Sequence, residues 1–287
     1  MKKIFQYSLL DAFLFLYTVS LIILPMYMAV YTSMSVWWVP IGLVHSYLIA
    51  NLQNTSLHHQ SHWPMFASKK LNSYYEIVLS SVSGLTHQGW KKAHTLHHKH
   101  VNDHPADGRT KDPTSVYQGG KNGQPINVWI YTVNRGFQDL LNYLVLIKMR
   151  FIGIKKFDDQ YRKESIAGKL FFLLIAMINF KYAILLLVVY FFAFMENRAI
   201  AYGAHWGVLE RRGDTTQDAI SVKGFWYNLL GFGLGYHQEH HHKPGVHWTR
   251  YKEVTPLLSP DRKFIKGYHL TNNPFWLHFK LLFKKSK

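Results

Sequence analysis

A chain of 287 residues, 48% hydrophobic and 16% aromatic, is long enough for one sizeable domain or for a membrane anchor with a soluble cap. Its formal charge of +17 suits nucleic acid, an anionic membrane or an acidic protein partner, but no RNA or DNA motif accompanies it and the basic residues flank apolar segments, so lipid headgroups are the better account and nucleic acid is set aside. The absence of cysteine excludes disulfides, thiolate metal sites and cysteine nucleophiles, leaving nitrogen and oxygen donors for any metal.

Met1, Lys2 and Lys3 precede an apolar run, as in a signal peptide. That run extends from Ile4 to Leu57 with Asp11 as its only charged residue and lacks a clean small-residue cleavage site, so a retained anchor is expected. A bilayer core about 30 Å thick needs roughly 20 apolar helical residues. The run therefore predicts a hairpin over about residues 8–56, with spans near Ser8–Tyr31 and Trp37–Ser56 and a turn near Thr32–Ser35. Next, Tyr75, Val78, Leu79 and Val82 predict a short helix. Ile126, Ile130, Val133, Phe137, Leu140, Leu144, Ile147 and Phe151 predict a longer one. Arg135, Asp139 and Lys148 argue against a span there, so these helices either lie on the membrane surface or pack into a cytosolic cap.

A second apolar block runs from Leu170 to Met195, interrupted only by Lys181. A single span here would place the histidines before and after it on opposite sides of the membrane. A second hairpin over about 170–204 is therefore expected, turning near Asn179–Lys181, with its last helix continuing through Glu196 and Arg198 toward His205. Lysine and arginine cluster at the N-terminus, at Lys148–Lys169 and at Lys280–Lys287. The positive-inside bias then puts both termini, the region 57–169 and the region 205–287 in the cytosol. The expected fold is all-α and integral to the membrane: one domain over 1–287, with four transmembrane helices in two hairpins and a helical cytosolic cap carrying a histidine-ligated di-metal site.

The chain holds 18 histidines, and their spacing matters more than their number. His58 and His62 lie four apart at the end of the second predicted span. His94, His97 and His98 read H-T-L-H-H, and His237, His240 and His241 read H-Q-E-H-H. On a helix, residues three and four apart share a face, so each box can aim its imidazoles at one point. Eight such imidazoles exceed the four ligands zinc usually takes, which makes two ions the natural count. Imidazole suits iron, copper, nickel and zinc alike. Outside these patterns, His100, His104, His242 and His247 read as solvated or supporting groups and His45 as a channel or packing residue, while His87, His269 and His278 carry no signal.

With its three boxes in this order, the sequence resembles the membrane fatty acid desaturase and hydroxylase superfamily, from the first hairpin to about Pro256. The run H-H-K-H-V-N-D-H-P-A-D and the run G-Y-H-Q-E-H-H-H-K-P-G-V-H-W are similar to that superfamily around its second and third boxes. The resemblance implies an all-histidine di-iron site using two Fe2+ ions and O2, with His58, His62, His94, His97, His98, His237, His240 and His241 as ligands. It adds His205, in A-Y-G-A-H-W-G, as a further ligand. Several relatives carry asparagine four residues before that histidine, where this chain has Ala201, with Asn197 further back. His59, Asn102, Asp107, Asn197 and Glu239 are the candidate supporting groups, with His59 also an alternative to His58.

The resemblance further implies desaturation of a fatty acyl chain or lipid, with hydroxylation or ketolation of an alkane, carotenoid or other lipid as the alternative. A metal transporter is the remote alternative, since its ligands belong in mid-membrane rather than at helix ends. No H-P-G-G haem segment, cysteine cluster, or flavin or nicotinamide fingerprint is present. Electrons are therefore expected from a separate ferredoxin, rubredoxin or cytochrome b5. The terminal K-K-S-K matches a dilysine retrieval signal, so a bacterial inner membrane and the endoplasmic reticulum are both consistent locations.

Overall fold

The computed structural model describes residues 4–31, 33, 35–101, 103–144, 158–205, 208, 215–260 and 264–266. They form eleven α-helices and one short parallel strand pair. The helices are α1 Asp11–Tyr31, α2 Trp38–Leu52, α3 His58–His62, α4 Lys69–Ser83, α5 His87–His100, α6 Val128–Leu144, α7 Asp159–Ile178, α8 Phe180–His205, α9 Phe225–Leu230, α10 His237–His242 and α11 Tyr251–Val254. Strands β1, Ser221–Lys223, and β2, Phe264–Lys266, pair with Ser221 opposite Phe264. The chain divides into two compact units, the first drawn from 1–92 and 134–197, the second from 93–133 and from 198 onward.

In the first unit, helix ends follow from local chemistry. Ser68 caps α4 through Leu71 N–H, and Asp158 caps α7 through Tyr161 N–H at 2.9 Å, each satisfying a donor that has no partner within its helix. Asn179 separates α7 from α8 in an extended conformation. Its Oδ1 accepts from Tyr182 N–H at 3.0 Å and its Nδ2 donates to Ala29 O at 3.3 Å, so the turn expected near Asn179–Lys181 is made by this asparagine. Between α2 and α3 the backbone continues as a π-helix over Gln53–Leu57. One extra residue in a turn rotates everything after it by about 100°, which sets the face that His58 and His62 occupy. The π segment is held by Gln53, which donates to Ser83 O at 2.7 Å and accepts from Asn197 Nδ2 at 2.9 Å.

Among the described residues, two helices, α1 and α8, are long and apolar enough to cross a membrane. The other two predicted spans fall on α2, whose 15 residues continue as the π-helix to Leu57, and on α7, which begins well before Leu170 with charged first turns. The short helix and the long one also differ in what they bury. Helix α4 turns Tyr75, Leu79 and Val82 inward. Helix α6 does the reverse: Ile130, Val133, Phe137 and Leu144 are exposed whereas Tyr131, Thr132, Asp139 and Tyr143 are buried. An apolar stripe facing away from the protein is what a membrane-surface helix presents. Of its predicted stripe, Ile147 and Phe151 lie outside the described residues.

In the second unit, Val116, Tyr117, Tyr131 and Tyr202 form a core against which Ile126 and Val128 pack. Tyr202 donates to Ile126 O at 2.9 Å and Tyr131 to Thr114 O at 2.6 Å. Buried phenols thus reach backbone carbonyls of the loop between α5 and α6, adding to that loop's own backbone bonds, such as Gly119 N–H to Gly108 O and Ile126 N–H to Val116 O.

Gly84 ends α4 at φ +73, where a Cβ would lie 2.9 Å from a Phe194 ring carbon and 3.1 Å from Tyr190. Gly84→Ala should therefore destabilise the protein by about 1–3 kcal/mol, read as a lowered Tm of the detergent-solubilised protein. An unchanged Tm would mean that the α4 terminus tolerates a side chain there.

Candidate metal centre

Helix α10 is six residues long and cannot hold itself. Its two non-histidine residues anchor it. Gln238 accepts from Ala219 N–H at 2.6 Å and donates to Thr215 O at 2.7 Å, while its own N–H donates to Ser221 Oγ at 3.0 Å. Glu239 accepts from Ser221 Oγ at 2.5 Å and Thr255 Oγ1 at 2.8 Å. Both side chains are fully buried. With Gln238 and Glu239 bound on one side, the helix directs His237, His240 and His241 to the other.

Those three meet the α5 histidines and His205, all within the second unit, in two groups. In the first, His98 Nε2 lies 2.9 Å from both His94 Nε2 and His240 Nε2. In the second, His97 Nε2 is 3.3 Å from His241 Nε2, and His205 Nε2 is 3.0 Å from His237 Nε2. One ring nitrogen from each member of a group lies within 4.8 Å of the others.

Counting protons shows what such convergence demands. His205 Nδ1 donates to Asp218 O at 3.1 Å, since a carbonyl can only accept. His97 Nδ1 donates to Asp112 Oδ2 at 2.8 Å. Burial pushes the Asp112 carboxyl up, but His97 and the Thr114 N–H and hydroxyl outweigh it and hold the group below its usual range, so Asp112 is an ionised acceptor. With its single proton committed at Nδ1, neutral His205 presents a bare Nε2 lone pair to His237, and His97, whose Nδ1–H is bound to Asp112, turns Nε2 toward His241. In the other group, His98 Nε2 is shared between two imidazole neighbours, His94 and His240. Burial, with neighbouring histidines, pushes His237 down to about 3 and His241 well down, which keeps these rings neutral. Neutral, converging nitrogen donors with orienting partners behind them fit metal ions.

The first box lies in the first unit. His58 and His62 are four residues apart on α3, with ring centroids 5.2 Å apart and Trp90 5.5 Å from His58. Burial and the nearby Lys91 push His62 down to about 4. His59 is also buried, beside Trp63.

The supporting residues expected from sequence fall out differently. Glu239 is an anchor of α10, and Asn197 binds Gln53. Asp107 is half-exposed and bound to the Arg109 guanidinium at 2.7 Å, because a turn places it beside its own near neighbour; Asp112 is the carboxylate that reaches His97. Asn102 lies outside the described residues. His242 and His247 meet the Thr215 and Thr249 hydroxyls at 2.8 and 2.9 Å, and the His104 ring lies beside Tyr117. Sequence reasoning missed Asp112, the Asp218 carbonyl and Tyr251, whose hydroxyl is 2.9 Å from His240 Nδ1. No fixed spacing links any of these to a box.

Asp112→Asn should weaken metal binding about 10–100-fold by removing the charge that commits the His97 proton to Nδ1. Metal titration of the solubilised variant, with wild-type helix content by circular dichroism as the folding control, checks this; wild-type affinity would show that Asp112 does not orient His97.

A search of curated proteins finds no match. The family model described as fatty acid desaturase matches residues 34–272, a span that includes all three boxes and His205. Covering most of the chain, that match shows that the protein belongs to the fatty acid desaturase family.

Proposed function

We propose that this protein is an O2-dependent di-iron desaturase that introduces a double bond into a fatty acyl chain. The observation that carries the reading is the pair of histidine groups whose Nε2 atoms converge, 2.9–3.3 Å apart in four contacts, in a chain of the desaturase family. His97, His205, His237 and His241 would hold one iron. His94, His98 and His240, completed by His58 and His62, would hold the other. The irons supply O2 activation and C–H cleavage, which no protein side chain performs. Asp112, the Asp218 carbonyl and the Tyr251 hydroxyl keep the ligand rings turned inward. The protein's remaining task is to position one methylene of the substrate, because a small displacement changes which bond reacts.

The same reading places one domain in the membrane as two hairpins. Helices α1 and α8 support it by length and hydropathy. Helices α2 and α7 support it by what they expose: Val39, Leu43 and Val44 on the one, Leu170, Leu173 and Met177 on the other, surface that lipid would cover. The charged start of α7 and both termini then lie in the cytosol with the histidines. Electrons come from a separate carrier, a ferredoxin, rubredoxin or cytochrome b5; such carriers are commonly acidic, and the net positive charge of the chain would draw them in.

Cells expressing the protein should accumulate a lipid lighter than its precursor by two hydrogens, and the purified protein should carry nearly two irons per chain. His97→Ala should lose iron and product together, while His100→Ala should keep both. Retention of iron and turnover in His97→Ala would overturn the ligand assignment, and a product heavier by one oxygen would replace desaturation with hydroxylation.

A further inference from the structure

Away from the boxes, a third group of metal-ligating side chains lies entirely within the first unit: Glu76 on α4, His87 at the start of α5 and Glu164 in the early turns of α7. One donor atom from each lies within 4.8 Å of the others. His87 and Glu164 are fully buried.

The hydrogen bonds around His87 determine its tautomer. Ser61 Oγ gives its only hydrogen to Leu57 O at 2.9 Å, so at 3.1 Å from His87 Nε2 it must accept. Nε2 therefore carries a proton, and Nδ1 faces the carboxyl groups of Glu76 and Glu164. Glu76 Oε2 lies 3.6 Å from it, beyond hydrogen-bond reach, and Nδ1 has no hydrogen-bond partner. Glu164 is similar: Oε2 accepts from Gln88 N–H at 2.9 Å, but buried Oε1 has no partner. Burial is the largest influence on the Glu164 carboxyl and, joined by Glu76, pushes it up to about 8 against the Gln88 N–H. Glu76 spends Oε1 on Gln60 at 3.1 Å and receives Gln88 Nε2 on Oε2 at 3.3 Å. The group thus contains a buried imidazole nitrogen and a buried carboxyl oxygen that each lack a hydrogen bond, with the Glu76 carboxylate beside them, their donor atoms within 4.8 Å of one another. Leaving such groups unpaired is costly, and one cation among them would satisfy all three.

We propose that Glu76, His87 and Glu164 form a separate site for a divalent cation of the Zn2+ or Mn2+ class. One imidazole and two carboxylates are a mixed nitrogen and oxygen donor set that such ions accept. Ser61 behind His87 supplies the orienting contact expected of a ligating imidazole. A small cleft lined by Thr86, Tyr161, Glu164, Ser165 and Lys169 gives an ion a way to Glu164. The ion would tie α7 to α4 and the start of α5, and its binding would add to the stability of that unit. This assignment does not depend on the chemistry at the boxes.

The test is Zn2+ binding to the full chain in detergent after chelator treatment, counted by elemental analysis. Wild type should bind one more Zn2+ than Glu164→Gln or His87→Asn, and Zn2+ should raise the Tm of a variant in which His94, His97, His98, His237, His240 and His241 are all alanine. That variant should still bind one Zn2+ and lose it on addition of Glu164→Gln. Equal Zn2+ counts in wild type and Glu164→Gln would overturn the site. Should Glu164→Gln not fold, as judged by circular dichroism, the box-deficient variant decides: no bound Zn2+ there overturns it, whatever the boxes do.

Discussion

The core of the second unit brings seven imidazoles together with Nε2 atoms 2.9–3.3 Å apart in four contacts. For His97 and His205 the Nδ1–H is bound to Asp112 and to the Asp218 carbonyl, and holding so many rings with Nε2 turned inward is the constraint on this unit. Much of the surrounding structure serves that constraint: α10 is nailed by Gln238 and Glu239, the loop after α5 brings Asp112 back to His97, and Tyr251 on α11 meets His240. The histidines supply donors, and the residues between and behind them decide where those donors point.

Short elements carry this site, and each is stabilised from outside itself. A six-residue helix has no independent stability, so α10 depends on buried side-chain bonds to backbone of the segment around β1. The π segment before α3 depends likewise on Gln53, held between Ser83 O and Asn197. Buried polar groups that are fully partnered add rigidity where ligand rings must be oriented. The group at Glu76, His87 and Glu164 differs, because there the accounting leaves Nδ1 and Oε1 over.

Apolar surface is distributed as a membrane protein requires. Helix α6 buries Thr132 and Asp139 and exposes Ile130, Val133 and Phe137, the opposite of a helix in a water-soluble core. Periodicity alone could not distinguish the two, since a stripe at helical spacing looks the same whether protein or lipid covers it. In α4, whose Tyr75, Leu79 and Val82 are buried, the same kind of stripe faces protein.

The sequence by itself made legible the spacing of the three histidine boxes, the helical character, the apolar segments and the break at Asn179. These follow from local rules: spacing of three and four residues, runs of apolar side chains, and the residue types that cap helices. Only the tertiary structure decided that Asp112 rather than Asp107 supports His97, that Glu239 anchors α10, that the first box follows a π turn, and that His87 lies with two glutamates. Each of those depends on which groups meet across tens of residues of chain, and on where a buried proton must go once they meet. Such pairings leave no periodic trace, because the fold, not the spacing, brings the partners together.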